Sequence, residues 1–130
     1  MSLVVDASVV YWILGGEDRL ATLGRGLVAP PLMWSEWTSS LHEGVWRREL
    51  HASQADALLA RARELPIARQ DPAGLHVEAW RIADELGWAK TYDAEYLALA
   101  RLLERKVVTL DARLRRGADR LGLVTSPAEL

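Results

Sequence analysis

Four acids stand where a chain of alternating strands and helices gathers its chemistry. Asp6 directly follows the apolar run Leu3-Val4-Val5, and Asp111 directly follows Val107-Val108-Thr109-Leu110. Asp93 and Glu36 fall at the starts of two helical patterns, one opening after Thr91 and one after Pro30-Pro31. In a parallel α/β sheet, ligands bind beyond the carboxyl ends of the strands. Residues that follow a strand, and the helix starts beside them, share that edge. Carboxylates brought together there repel and raise one another's pKa. A bound cation is the natural remedy, and oxygen donors without His or Cys select magnesium or manganese. Such an ion activates water and offsets charge on a phosphate under attack. Helix N-termini favour anions, which helps keep Glu36 and Asp93 ionised. Taken singly, each acid also has an ordinary reading. Asp6 and Asp111 can be strand-ending or N-cap residues, Asp93 a first-turn acid, and Glu36 an exposed helix glutamate.

The elements that must position these acids are legible as alternating patterns. Leu3–Val5 reads as a buried strand, and Val9–Leu14 as a helix stopped by Gly15-Gly16. Leu27–Ala29 is a second strand, ended by Pro30-Pro31. A helix is predicted from Met33 to Leu50, with Trp37, Leu41 and Val45 on one stripe. Ser53 and Asp56 resemble a capping box for the next helix, which Pro66 ends. Ile67-Ala68 is a weak strand. Asp71-Pro72 reads as an N-cap with proline in the first turn of a helix lined by Leu75, Ala79, Ile82, Ala83 and Leu86 and closed by Gly87. The helix Tyr92–Glu104 is apolar almost all round, so it is expected to be buried on more than one side. Val107–Leu110 is the clearest strand. A basic helix follows over Ala112–Leu121, and Leu123-Val124 forms a last edge strand. This alternation predicts an α/β fold, a three-layer α/β/α sandwich with a mainly parallel sheet, in one domain spanning 1–130.

Composition narrows the functional classes. Sixteen Lys and Arg against eighteen Asp and Glu give a net charge of −2, so any nucleic-acid surface is a local patch. With no cysteine, disulfides and thiolate metal sites are excluded. The start MSLVVDASVV has no basic n-region, and no apolar run approaches the roughly 20 residues of a membrane helix. The expectation is a cytoplasmic protein without a membrane segment. Six tryptophans and no phenylalanine mean that Trp either fills the core or lines a binding groove.

Four stretches, in order, resemble the PIN-domain ribonucleases, particularly the toxins of VapBC toxin–antitoxin pairs. Val4-Val5-Asp6-Ala7-Ser8-Val9 is similar to the family's opening hydrophobic-Asp-x-Ser/Thr motif. Pro31-Leu32-Met33-Trp34-Ser35-Glu36 resembles the segment that supplies its glutamate. Tyr92-Asp93-Ala94-Glu95-Tyr96-Leu97-Ala98-Leu99-Ala100 is similar to its YDAxYLALA stretch and is the most specific. Val107-Val108-Thr109-Leu110-Asp111 resembles its strand-Thr-x-Asp signature. The resemblance runs from residue 3 to about 126. It implies metal-dependent cleavage of RNA, with Asp6, Glu36, Asp93 and Asp111 as metal ligands. It further implies Ser8 and Thr109 as hydroxyl supports, a homodimer, and a small VapB-like antitoxin whose C-terminal segment blocks the acidic site. Grooves rimmed by Trp12, Trp34, Trp37 or Trp46 would suit that partner.

The chemistry this implies is hydrolysis of an RNA phosphodiester, with Asp6, Asp93 and Asp111 around one magnesium and Glu36 completing the shell or orienting water. Lys90, Arg113, Arg115 and Arg116 are candidate phosphate contacts, or else a solvated basic face. A phosphatase of the haloacid-dehalogenase kind needs a second Asp two residues after the first, where this chain has Ser8. A receiver domain needs an early acid pair and a late lysine, and neither is present. A non-enzymatic alternative is an inactive PIN scaffold that binds RNA or a protein partner.

Overall fold

The computed structural model describes residues 2–24 and 26–130; Met1 and Arg25, inside the expected 1–130 span, lie outside the described residues. Five parallel strands form one sheet: β1 (Ser2–Val5), β2 (Gly26–Ala29), β3 (Ile67–Arg69), β4 (Val107–Val108) and β5 (Val124–Thr125). Their order is β3-β2-β1-β4-β5. The chain steps outward from β1 through β2 to β3, then returns to add β4 on the other side of β1. The order therefore reverses between β1 and β4, the position where open parallel sheets leave a crevice at their carboxyl edge.

The central strands are apolar on both sides, as strands covered on two faces must be. Val4, Val5, Val107 and Val108 are fully buried. Helices cover both faces of the sheet. One group comprises α1 (Ala7–Leu14), α2 (Arg19–Leu23), α3 (Leu32–Trp46) and α4 (Ala52–Arg63), which pack on one another. A second pair, α5 (Leu75–Leu86) and α6 (Tyr92–Leu103), packs together, with α6 also against β1 and β4. Helix α7 (Ala112–Ala118) leads into a 3-10 turn at Asp119–Leu121, and another turn at Pro127–Glu129 ends the chain. Among the described residues no helix is long and apolar enough to cross a membrane.

Several boundaries differ from the sequence reading, each for a local reason. Helix α3 stops at Trp46 rather than Leu50, because Arg48 takes a left-handed φ of 61° and the Glu49 and Leu50 N–H groups both donate to the Gly44 carbonyl. Helix α4 is opened by His51, whose N–H donates to the Gln54 side chain at 2.9 Å, instead of by Ser53 and Asp56. Asp71-Pro72 lies in a turn before α5; the helix begins after Gly74, which takes φ 86°. The strand predicted to Leu110 pairs only through Val108. Helix α2, five residues after the turn at residues 15–18, has no counterpart in the sequence reading. Helix α6 is enclosed as predicted: every residue from Ala94 to Ala100 is buried.

Candidate active site

Asp6 leaves β1 and becomes the N-cap of α1, its Oδ1 accepting the Val9 N–H at 3.2 Å. Ser8 Oγ donates to the same Oδ1 at 2.5 Å, and Thr109 Oγ1 donates to Oδ2. Both hydroxyls also accept backbone donors from the end of β4: Leu110 N–H to Ser8 and Asp111 N–H to Thr109, each at 3.0 Å. The two hydroxyls thus tie the ends of β1 and β4 together across the topological reversal. Asp6 is 7% exposed and cannot turn without breaking this lattice. Asp111 is likewise an N-cap, its Oδ1 accepting from Arg113 and Leu114 N–H groups at 2.9 and 3.3 Å. Capping and site placement therefore coincide at both residues.

The other two acids come from helices. Asp93 lies in the first turn of α6, which begins at the carboxyl edge of the sheet and runs back to the start of β4. Glu36 lies one residue beyond the first turn of α3, because that helix already starts at Leu32. Its Oε1 accepts the Tyr96 hydroxyl at 2.5 Å. Tyr96 was absent from the sequence-derived site, although its place three residues after Asp93 puts it on the same helix face.

All four acids line one cavity of about 200 Å³, together with Ser8, Ser40, Tyr96 and Arg113. Arg113 reaches across its rim, 3.4 Å from Asp93 and 4.0 Å from Asp111. As the side chains stand, no three acids or histidines among the described residues are arranged to hold an ion.

Burial dominates the electrostatics. Desolvation raises the Asp6 carboxyl above its ordinary range; the Ser8, Thr109 and Val9 donors pull it down, and Asp111 pushes it up. Desolvation also raises Glu36, opposed by the Tyr96 hydroxyl and reinforced by Asp93 and Asp6. Asp93 is raised by desolvation and Asp111, with Arg113 opposing. Desolvation and neighbouring carboxylates thus disfavour the ionised forms of Glu36 and Asp93. Glu36 also lies beyond the first turn of α3, where a helix N-terminus acts weakly.

A second cavity, of about 720 Å³, adjoins the first and shares Glu36, Asp93, Arg113 and Leu114 with it. Lys90, Trp88 and Tyr92 also line it. The remaining basic candidates diverge. Arg115 bonds to Glu129 beside the chain end, and Arg116 is exposed outside both cavities. Among the tryptophans proposed for a partner groove, Trp37 is core at 3% exposed, Trp12 lies under Arg19, and Trp34 is half-buried, whereas Trp46 is 78% exposed. Glu95, buried in α6, pairs with His76 at 3.5 Å and is not part of the acidic cavity.

Comparison with known proteins agrees with the fold. The family model described as "PIN domain" matches residues 3–120. The chain is 35% identical over 114 residues to VapC ribonuclease Mb0985 of Mycobacterium bovis and, equally, to ribonuclease VapC9 of Mycobacterium tuberculosis. These matches cover 86% of this chain and 87% of each relative. The crystal structure of PAE2754 from Pyrobaculum aerophilum superposes with a TM-score of 0.79 at 21% identity, covering 99% of this chain and 91% of that one, a likeness of fold. The chain belongs to the PIN domain family.

Proposed function

We propose that this protein is a divalent-metal-dependent endoribonuclease and the toxin of a type II toxin–antitoxin pair. The observation that carries this reading is the meeting of Asp6, Glu36, Asp93 and Asp111 around one cavity at the sheet's reversal point. The likeness to VapC ribonucleases supplies the substrate class, RNA; the family resemblance of the sequence motifs adds a VapB-like antitoxin and a second copy of the chain as proposed partners.

The donor set fits magnesium or manganese, because the acids lining the cavity offer oxygen and no thiolate or imidazole accompanies them. Four carboxylates facing one arginine leave an excess of negative charge, and three of them are already held above their ordinary pKa. A divalent cation relieves both conditions. Asp6, Asp93 and Asp111 would hold it, with Glu36 completing the set. When bound, the ion supplies a water of lowered pKa and offsets charge on the phosphoryl oxygens.

The chain's own residues supply the positioning. Ser8 and Thr109 fix Asp6 in one orientation, and the Tyr96 hydroxyl fixes Glu36 beside a position where water can be oriented. Asp93 and Asp111 are half-buried; Asp93 can rotate toward an ion once Arg113 releases it, while Asp111, held through Oδ1 by the start of α7, keeps its Oδ2 for the ion. Arg113, 76% exposed, is then free at the rim to meet a phosphate.

The test is cleavage of RNA by purified protein with magnesium, with manganese and with chelator, beside Asp93→Asn. Activity is expected only with metal and only in the unmodified protein. Equal cleavage by both proteins under matched metal would sink the site assignment. One observation favours a second reading, an inactive scaffold: Arg113 already neutralises Asp93 and Asp111 internally. On that reading neither protein cleaves, while both bind RNA or partner.

A further inference from the structure

Trp88 and Tyr92 are unexplained by the acidic site, yet both line the larger cavity that opens from it. Tyr92 is 57% exposed, an unusual position for a large aromatic side chain with no packing task. Trp88 is fixed. The chain turns at Gly87, whose φ of 71° ends α5, and the Trp88 N–H returns to the Ala83 carbonyl at 2.8 Å. Its indole then lies against α7 at Gly117. A Cβ at position 117 would stand 2.9 Å from Trp88 Cζ2 and 3.5 Å from Nε1. Glycine inside a helix is unfavourable relative to alanine, so this helix gives up stability at the one position where the indole needs room.

The cavity's volume, about 720 Å³, falls within the roughly 300–1,000 Å³ of small-molecule sites. Its wall alternates aromatic and basic groups, with Lys90 between Trp88 and Tyr92 in the sequence and Arg113 at the junction with the acids. Aromatic faces beside cations are how proteins hold unstacked bases together with the flanking phosphate. Taking the ribonuclease reading as its basis, we propose that Trp88 and Tyr92 form a nucleobase subsite. It holds one unstacked base of the RNA next to the scissile phosphate, with Lys90 on a neighbouring phosphate and Gly117 setting the indole's position. A base paired within a duplex cannot enter it, so the subsite selects single-stranded RNA.

The experiment uses the full chain in chelator, so that binding is read without cleavage. The probe is a fluorescently labelled, mixed-sequence single-stranded oligoribonucleotide, compared with its duplex by anisotropy. Trp88→Leu, which keeps apolar bulk, and Tyr92→Ala are each expected to weaken single-strand binding roughly tenfold or more, and to narrow the gap between single strand and duplex. Trp88→Phe should restore most of the binding. Gly117→Ala, with every aromatic retained, should give an intermediate loss. With metal restored, the same variants should raise KM more than they lower kcat. If the unmodified protein cleaves RNA while Trp88→Leu and Tyr92→Ala bind and cleave as it does, the subsite is overturned and the nuclease reading stands. If the unmodified protein neither binds nor cleaves RNA, both are overturned.

Discussion

Thr109 holds more of the site together than any residue except Asp6. Its hydroxyl donates to Asp6 Oδ2 and accepts the Asp111 N–H, so a single oxygen fixes the Asp6 carboxylate and the backbone at Asp111. Replacing it by the near-isosteric valine leaves the buried carboxylate short of a donor and an amide short of an acceptor. Thr109→Val is expected to cost about 1–3 kcal/mol of stability, and roughly 10- to 100-fold in RNA cleavage, as for groups that orient metal ligands. Asp6→Asn should separate those two effects. It removes a charge that burial and Asp111 disfavour, so melting in chelator should occur at an equal or higher temperature while cleavage is lost. A lower melting temperature for Asp6→Asn than for Thr109→Val would show that the Asp6 charge stabilises the fold. The four acids were legible from the sequence because each sits beside a strand end or a helix start. The hydroxyl of Tyr96 and the neutralising reach of Arg113 were not. Both depend on which helix faces which across the cavity, and no local pattern carries that information.

At the scale of elements, the enclosure of α6 has a measurable consequence. Ala98 is fully buried where this helix packs against both α5 and the sheet. Ala98→Leu is expected to destabilise by about 1–3 kcal/mol through overpacking. Ala57→Leu on the exposed side of α4 should stay within about 0.5 kcal/mol of the parent. Denaturant midpoints of the two variants check this, and equal midpoints would contradict the enclosure. Alanine-rich apolar periodicity announced that helix, and short apolar runs announced β1, β2 and β4. The misplaced boundaries have separate local causes: backbone turns set the start of α5 and the end of α3, and a different side-chain cap opens α4. Asp71 gave way to Gly74, Ser53 to His51, and the predicted end at Leu50 to the reversal at Arg48. The chain end is a further element-scale case. Arg115 and Ser126 hold the Glu129 carboxyl at a pKa of about 2, below its usual 4.5. A carboxyl depressed in the folded state contributes stability above its unfolded pKa and loses it as pH falls through the folded one. The last turn should therefore stay docked on α7 above about pH 4.5 and loosen between there and about pH 2. Carboxyl NMR of Glu129 should show its midpoint returning toward 4.5 in Arg115→Ala. An unchanged midpoint would remove Arg115 as the cause.

For the whole molecule, charge decides how RNA could arrive. A net charge of −2 gives no long-range attraction to a polyanion, and the centre of the proposed site is itself acidic. Approach then depends on the few cations at the cavity rim, and among the described residues Lys90 and Arg113 are the cations that line the two cavities. Each phosphate neutralised on single-stranded RNA contributes about −0.7 to the slope of log binding constant against log salt. Two contacts predict a slope of about −1.4, far shallower than for proteins with a continuous basic face. Lys90→Ala should bring it to about −0.7. Arg115→Ala should leave it unchanged, because that guanidinium is committed to Glu129. Anisotropy titrations in chelator across a range of potassium chloride measure all three. A slope near zero in the unmodified protein would take Lys90 and Arg113 off the phosphate path. A slope steeper than about −3, unaltered by Lys90→Ala, would move the RNA to another face of the molecule and separate it from the four acids.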